Sequence, residues 1–206
     1  CRKVLQARDA APIPADHVPQ HAEVGDRLHE LTGFRFTLAG GLVPDKRFLG
    51  AMARGYFHAV QYVRHPAMPL YTPEPDVVHD VHGHGTHLSS PWFADLYRLV
   101  GAAASRVDSA DALDLISRVY WFTLEYGVAH ERGRPRAYGA ALLSSYGELD
   151  RLHRAEIRPW SVERVADTAY TAAGYQPVLY AVRSLTTTDS SVPRTSPGRR
   201  SRHCSR

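Results

Sequence analysis

Apolar and polar residues alternate along this chain with two periods, and the helical one dominates. Val24, Leu28 and Leu31 recur at helical spacing, predicting a helix over residues 22–31 that Thr32-Gly33 ends. Phe34-Arg35-Phe36-Thr37-Leu38 alternates with period two, as a strand does; Gly40-Gly41 behind it lets the chain turn tightly or a ligand approach the backbone. Asp45 reads as the N-cap of a helix through Phe48, Leu49, Met52 and Phe57 toward Tyr62. Pro66, Pro69, Pro73 and Pro75 stiffen the next segment, and Asp76 is placed to cap a helix starting at Val77. Ser90-Pro91 starts a helix with Trp92, Phe93, Leu96 and Leu99 as its buried side. The clearest stripe is Leu115, Val119, Phe122 and Tyr126 within residues 112–126, with Gly127 as its stop. Residues 138–151 are mostly small and apolar, residues 161–173 read as another helix, and Pro177-Val178-Leu179-Tyr180-Ala181-Val182 as a short strand. The pattern describes a mainly α chain with short marginal strands.

The flanks differ from this body. Residues 1–20, rich in Ala and Pro, are expected to form an irregular lead-in, and residues 21–185 one domain. From residue 186 the chain turns to Ser, Thr, Pro and Arg, a composition that buries too little apolar surface to order itself, so residues 186–206 are expected to be a disordered basic tail.

Composition changes little in this picture. A chain of 206 residues with 44% hydrophobic residues can bury a core without disulfides or a structural metal. Its two cysteines, Cys1 and Cys204, suggest neither a disulfide framework nor a thiolate metal site. The net charge of +4 is accounted for by the five arginines after residue 185 set against Asp189, which leaves the body neutral and argues against nucleic-acid binding. No apolar run long enough to cross a bilayer and no signal-peptide pattern is present, so a cytoplasmic location without membrane association is expected.

The candidate chemistry lies at His79-Asp80-Val81-His82-Gly83-His84-Gly85-Thr86-His87, where four histidines fall within nine residues. Imidazole is the commonest metal ligand near neutral pH. On an ideal α-helix, turning about 100° per residue, His79 and His84 stand roughly 140° apart, whereas His79 with His82, or His84 with His87, are better neighbours. Spacing alone leaves the ligand pair open. Glu125, an acid inside the aromatic run Tyr120-Trp121-Phe122-Thr123-Leu124-Glu125-Tyr126, suggests a third ligand, because a buried carboxylate is disfavoured unless it is paired. Two imidazoles and a carboxylate suit a non-haem Fe(II) oxygenase, and zinc hydrolases use the same ligand types.

With these residues in place, the chain resembles the catalytic domain of the pterin-dependent aromatic amino acid hydroxylases. The resemblance runs from about residue 32 to 185 and rests on Thr32-Gly33-Phe34-Arg35, Arg47-Phe48-Leu49-Gly50, Gln61-Tyr62-Val63-Arg64-His65, Tyr71-Thr72-Pro73-Glu74-Pro75-Asp76, His79 with Gly83-His84, Tyr120 to Gly127, Ala137-Tyr138-Gly139-Ala140, Leu142 to Leu149, and Tyr175-Gln176-Pro177. It implies the family's mainly α catalytic-domain fold, of the compact bacterial type, expected as a monomer.

The same resemblance implies that His79, His84 and Glu125 hold Fe(II), with His82 and His87 as extras. It places Phe48 on the ring of a tetrahydropterin cosubstrate, with Gly41, Leu42 and Tyr120 bordering it and Asp80, where the family usually has Glu, close by. Arg64 is expected to grip the carboxylate of an aromatic amino acid, supported by Thr72 and Ser144, with Trp121 lining the ring pocket; the lesser alternative for Arg64 is a structural pair with an acid such as Asp76. Thr86 stands where the family commonly has proline. The implied reaction uses O2 to hydroxylate phenylalanine to tyrosine. Trp121 speaks against tryptophan, and Ala172, near the position where tyrosine hydroxylases carry aspartate, against tyrosine. The alternatives are a tryptophan hydroxylase, a phenylalanine meta-hydroxylase, a zinc hydrolase, and a non-catalytic iron- or pterin-binding relative.

Overall fold

The computed structural model describes residues 1–10, 13–14, 16–70, 72, 74–172 and 174–185. Helix α1 (Arg2–Ala10) buries Val4 and Ala7, so the lead-in expected to be irregular starts as a docked helix; the prolines that suggested otherwise all lie beyond its end. Helix α2 (His21–Thr32) stops as expected at Gly33, whose φ of 77° lets its N–H turn back to the His29 carbonyl.

Strand β1 (Arg35–Leu38) forms where the period-two pattern predicts it and pairs in parallel with β2 (Tyr56–Ala59), Phe36 opposite Phe57. Between them, α3 (Asp45–Met52) is much shorter than the predicted helix. Gly55 takes a φ of 76°, which ends the helical path, and the aromatic stretch after it continues as a strand. Asp45 is the first helical residue rather than the cap, and its carboxylate accepts the Ser117 hydroxyl at 2.8 Å, tying α3 to the later helix α6 (Ala110–Tyr120).

Helix α4 (Thr86–Leu88) leads to α5 (Pro91–Arg106), which starts at the predicted proline. Its buried side is Phe93, Ala94, Tyr97, Gly101 and Ala104; Leu99, expected inside, is 64% exposed. Of the expected side, Phe93 is fully buried and Trp92 and Leu96 pack partly buried against the core, while Tyr97 can be buried because its hydroxyl finds partners. The chain then forms β3 (Val128–Glu131), β4 (Arg134–Ala137), α7 (Ala140–Leu143), α8 (Tyr146–Arg151), β5 (Glu156–Pro159), α9 (Val162–Ala166) and β6 (Val178–Val182). Helix α9 ends seven residues before the predicted limit at residue 173, where the Thr168 hydroxyl takes the Arg164 carbonyl at 2.8 Å. The sheet order is β4-β3-β6-β5, antiparallel between β3 and β4 and parallel elsewhere.

Leu28, Phe34, Met52, Phe57, Leu88, Phe93, Tyr97 and Leu124 are almost fully buried in one core. Its rings meet edge to face, Phe34 with Tyr97 at 6.3 Å and Phe57 with Tyr97 at 6.2 Å, a geometry worth about 0.5–1.5 kcal/mol per pair beyond burial. This aromatic floor carries the histidine-rich stretch. The mainly α reading with short strands holds, and the expected disordered tail, residues 186–206, lies outside the described residues.

Candidate metal centre and its two cavities

The histidine-rich stretch folds as a π-helical segment, Val78–Gly85. In that geometry the backbone bonds run from residue i to i+5, so side chains five apart stack on one face instead of diverging. His79 and His84 therefore meet, their Nε2 atoms 3.0 Å apart. Asp76 starts the segment, accepting the His79 N–H at 3.0 Å. Gly83 allows α7 to press against it: a Cβ there would lie 2.6 Å from the Ala140 carbonyl oxygen. Gly83→Ala is accordingly expected to lower the unfolding free energy by about 1–3 kcal/mol in denaturant titration, and unchanged stability would contradict this close approach.

Helix α6 passes into a second π-helical segment, Trp121–Glu125, where the Tyr126 N–H bonds the Trp121 carbonyl at 2.8 Å. The change of period swings Glu125 inward. Its Oε1 lies 3.2 Å from His84 Nε2 and its Oε2 3.5 Å from His79 Nε2. Behind it, a Cβ on Gly139 would collide with the Glu125 carbonyl, so glycine is required there too.

One donor atom from each of His79, His84 and Glu125 lies within 4.8 Å of the others, and the three are the metal-competent cluster among the described residues. The outer ring nitrogens are engaged: His79 Nδ1 with the Ser144 hydroxyl at 3.0 Å, His84 Nδ1 with the Tyr97 hydroxyl at 2.7 Å. Two Nε2 lone pairs and a carboxylate then converge on one point, an arrangement that repels itself unless a cation sits between them. Burial pushes the His79 pKa down to about 4. Burial would raise Glu125, but the adjoining imidazoles of His84 and His79 hold it at about 2. At neutral pH His79 is uncharged and Glu125 ionised, as metal ligands must be. The donor set fits a divalent ion bound on one face, with the opposite face open.

Two cavities meet at this cluster, and His79 and Glu125 line both. The larger, about 610 Å³, is bordered by Gly41, Leu42, Phe48, Asp80 and His84. Phe48 packs edge-on against Phe57 at 5.5 Å. Asp80 accepts the Val60 N–H at 2.7 Å, and burial raises its pKa to about 7. Tyr120, expected on this wall, borders neither cavity; it lies behind, edge-on to Phe48 at 5.9 Å and parallel to the His84 ring at 6.4 Å.

The smaller cavity, about 140 Å³, is lined by Arg64, Thr72, Trp121 and Ser144. Trp121 is stacked on Tyr170 at 4.6 Å and donates its Nε1–H to Gln176 at 3.3 Å. Arg64 lines this cavity and is also engaged from behind. It turns its fork onto the fully buried Asp76, Nε at 2.9 Å and Nη2 at 2.8 Å, and reaches the carbonyls of Pro69 and Ser144 at 3.3 Å. Among the described residues these bonds take four of the five N–H donors of a guanidinium, so the structural partner and the cavity-lining residue are the same arginine.

Residues that the sequence did not single out complete the walls. His58 borders the larger cavity, and Tyr126, Ala141 and Glu148 the smaller; burial raises the Glu148 pKa. Glu148, an acid within an apolar stretch, carried the same signal as Glu125. His82 is exposed, and His87 is fully buried.

A family model described as biopterin-dependent aromatic amino acid hydroxylase matches residues 3–196. The chain is 47% identical over 188 residues to a phenylalanine 3-hydroxylase of Streptomyces coeruleorubidus, covering 91% of this chain and 67% of that protein. It is 39% identical over 172 residues to a phenylalanine-4-hydroxylase of Dictyostelium discoideum, covering 82% of this chain but 39% of the relative. A crystal structure of Chromobacterium violaceum phenylalanine hydroxylase with bound iron(III) and 7,8-dihydrobiopterin superposes with a TM-score of 0.83 at 29% identity, covering 89% of this chain and 68% of that one. The chain thus spans about two thirds of the two bacterial proteins and well under half of the Dictyostelium one.

Proposed function

The chain belongs to the biopterin-dependent aromatic amino acid hydroxylases, and we propose that it hydroxylates the ring of phenylalanine with Fe(II), a tetrahydropterin and O2. The observation that carries this reading is the cluster of His79, His84 and Glu125, of which His79 and Glu125 line both cavities. One cavity suits a flat heterocycle against Phe48, the other an aromatic amino acid against Trp121.

Bound iron, with the reduced pterin, supplies the activation of O2 that places one oxygen on the ring and the other on the pterin. The protein positions the reactants. Neutral His79 and His84 with anionic Glu125 leave one net positive charge on Fe(II), which eases its oxidation. Gly41, Leu42, Phe48 and Asp80 orient the pterin, and Tyr120 supports Phe48 and His84 from behind. Arg64 meets the substrate carboxylate with its charge, Thr72 and Ser144 standing beside it; Asp76 holds the guanidinium in place. The buried cluster and the apolar walls keep bulk water from the oxidising centre.

Ala172 lines the substrate cavity and offers no polar partner to the ring hydroxyl of tyrosine, which favours phenylalanine. The ring position has two readings. Family-wide resemblance suggests position 4, giving tyrosine; the 47% identity to a protein named phenylalanine 3-hydroxylase, against 36–39% for the phenylalanine-4-hydroxylases, favours position 3. Iron-loaded protein supplied with tetrahydropterin and phenylalanine, tyrosine or tryptophan is expected to turn over phenylalanine fastest, with chromatography separating para- from meta-tyrosine. Faster hydroxylation of tryptophan or tyrosine would overturn the substrate assignment. Among the described residues no helix is long and apolar enough to cross a membrane; a monomer in the cytoplasm is proposed, and light scattering of the eluted protein tests the first point.

A further inference from the structure

We infer that His87 is a positioning residue of the metal centre: through Tyr97 it fixes which nitrogen of His84 carries the proton. The inference rests on His84 being a metal ligand, and it follows from the direction in which each hydrogen bond must run. His87 is fully buried, stacked on Phe93 at 4.2 Å with the rings 7° apart. Its Nε2 lies 2.6 Å from the Tyr138 carbonyl oxygen, which can only accept, so Nε2 carries a proton. Its two nitrogens meet a carbonyl and a hydroxyl, neither a counter-charge, so the buried ring is neutral and Nδ1 is a bare lone pair.

That lone pair lies 2.9 Å from the Tyr97 hydroxyl and can only accept, so Tyr97 donates to it. The phenol has one proton. With that proton spent, its oxygen must accept from His84 Nδ1, 2.7 Å away, and Tyr97 is itself fully buried, so no solvent competes. His84 therefore carries its proton on Nδ1. Its Nε2 is left bare, facing Glu125 Oε1 at 3.2 Å and His79 Nε2 at 3.0 Å, the state a metal needs. Were the Tyr97 proton free to turn, it would donate to His84 Nδ1 and place the His84 proton on Nε2, in the metal's way. His87 prevents that turn.

The test combines His87→Leu, Tyr97→Phe, the double variant and His87→Gln, whose amide offers both an acceptor and a donor. Ring-nitrogen NMR of the metal-free protein reads the His84 tautomer, competition titration reads Co(II) affinity, and thermal unfolding reports folding. Wild type is expected to hold His84 as the Nδ1–H tautomer. His87→Leu should shift it to Nε2–H and weaken Co(II) binding by about 10–100-fold. Removing the hydroxyl as well should recover affinity toward that of Tyr97→Phe, and His87→Gln should resemble wild type. A purely structural His87 would instead lower thermal stability in every variant, with no recovery in the double variant. Wild-type His84 protonated on Nε2 overturns the inference, as does His87→Leu with unchanged tautomer and affinity. If these predictions hold but the iron-loaded protein hydroxylates nothing, the proposed function fails alone.

Discussion

Glu125→Ala is expected to weaken Fe(II) binding by about 1,000-fold, whereas His82→Ala keeps iron content and hydroxylation near wild type. Glu125 is the one anion of the cluster and is 7% exposed, so its attraction for a cation is poorly screened. Opposite unit charges about 4 Å apart attract by roughly 4 kcal/mol at an effective dielectric of 20, which is about three orders of magnitude in affinity. Without it, two neutral imidazoles remain beside a divalent charge. His82 is exposed on the far side of the same segment and has no part in the cluster. Metal analysis after dialysis and Fe(II) titration check both variants, and equal behaviour would mean that the ligands are misassigned.

Asp76→Asn is the second large effect, with an expected loss of about 3–5 kcal/mol in unfolding free energy. The fully buried carboxylate accepts four N–H groups: the Arg64 backbone, Nε and Nη2, and the His79 backbone. An amide keeps the shape but turns one oxygen into a donor facing donors, and leaves the Arg64 charge, 11% exposed, without its partner. The loss reaches function because the same group holds the start of the π-helical segment and the arginine of the smaller cavity. Denaturant titration measures the stability, and the Michaelis constant for the amino acid should rise with it. The sign with pH is defined. Burial pushes Asp76 up, but Arg64 and the N–H groups hold it below its ordinary value of 3.8. Its stabilisation is complete above that value and is lost as pH falls through the lower folded one. The Asn variant should lack this part of the acid sensitivity, and a variant as stable as wild type at neutral pH would contradict the pairing.

Residue types at the centre were legible in the sequence, because a cluster of histidines and an acid within an aromatic run have few uses in a folded body. The arrangement was not. His79 and His84 diverge on an α-helix and converge on a π-helix, and their spacing does not specify that backbone, which packs through Gly83 against Ala140 of α7, 57 residues away. The abrupt end of α3 was hidden for a related reason, since Phe48, Leu49, Met52 and Phe57 satisfy helical spacing while Gly55 and parallel pairing with β1 decide for a strand. Arg64 presented two readings that the structure joins in one side chain, because its fork serves Asp76 while the same residue lines the smaller cavity. His87 was visible but unexplained: its partner Tyr97 is ten residues on, on a helix whose expected buried side, Trp92, Phe93, Leu96 and Leu99, did not include it.

We propose that His79, His84 and Glu125 hold an iron that couples O2 to ring hydroxylation between the two cavities. Oxygen consumption and hydroxylated phenylalanine, measured together in one preparation with tetrahydropterin, decide it. Iron-loaded protein should give both, in step, and zinc-loaded protein neither. Iron shown to be bound, with no hydroxylated product from phenylalanine, tyrosine or tryptophan, would contradict it.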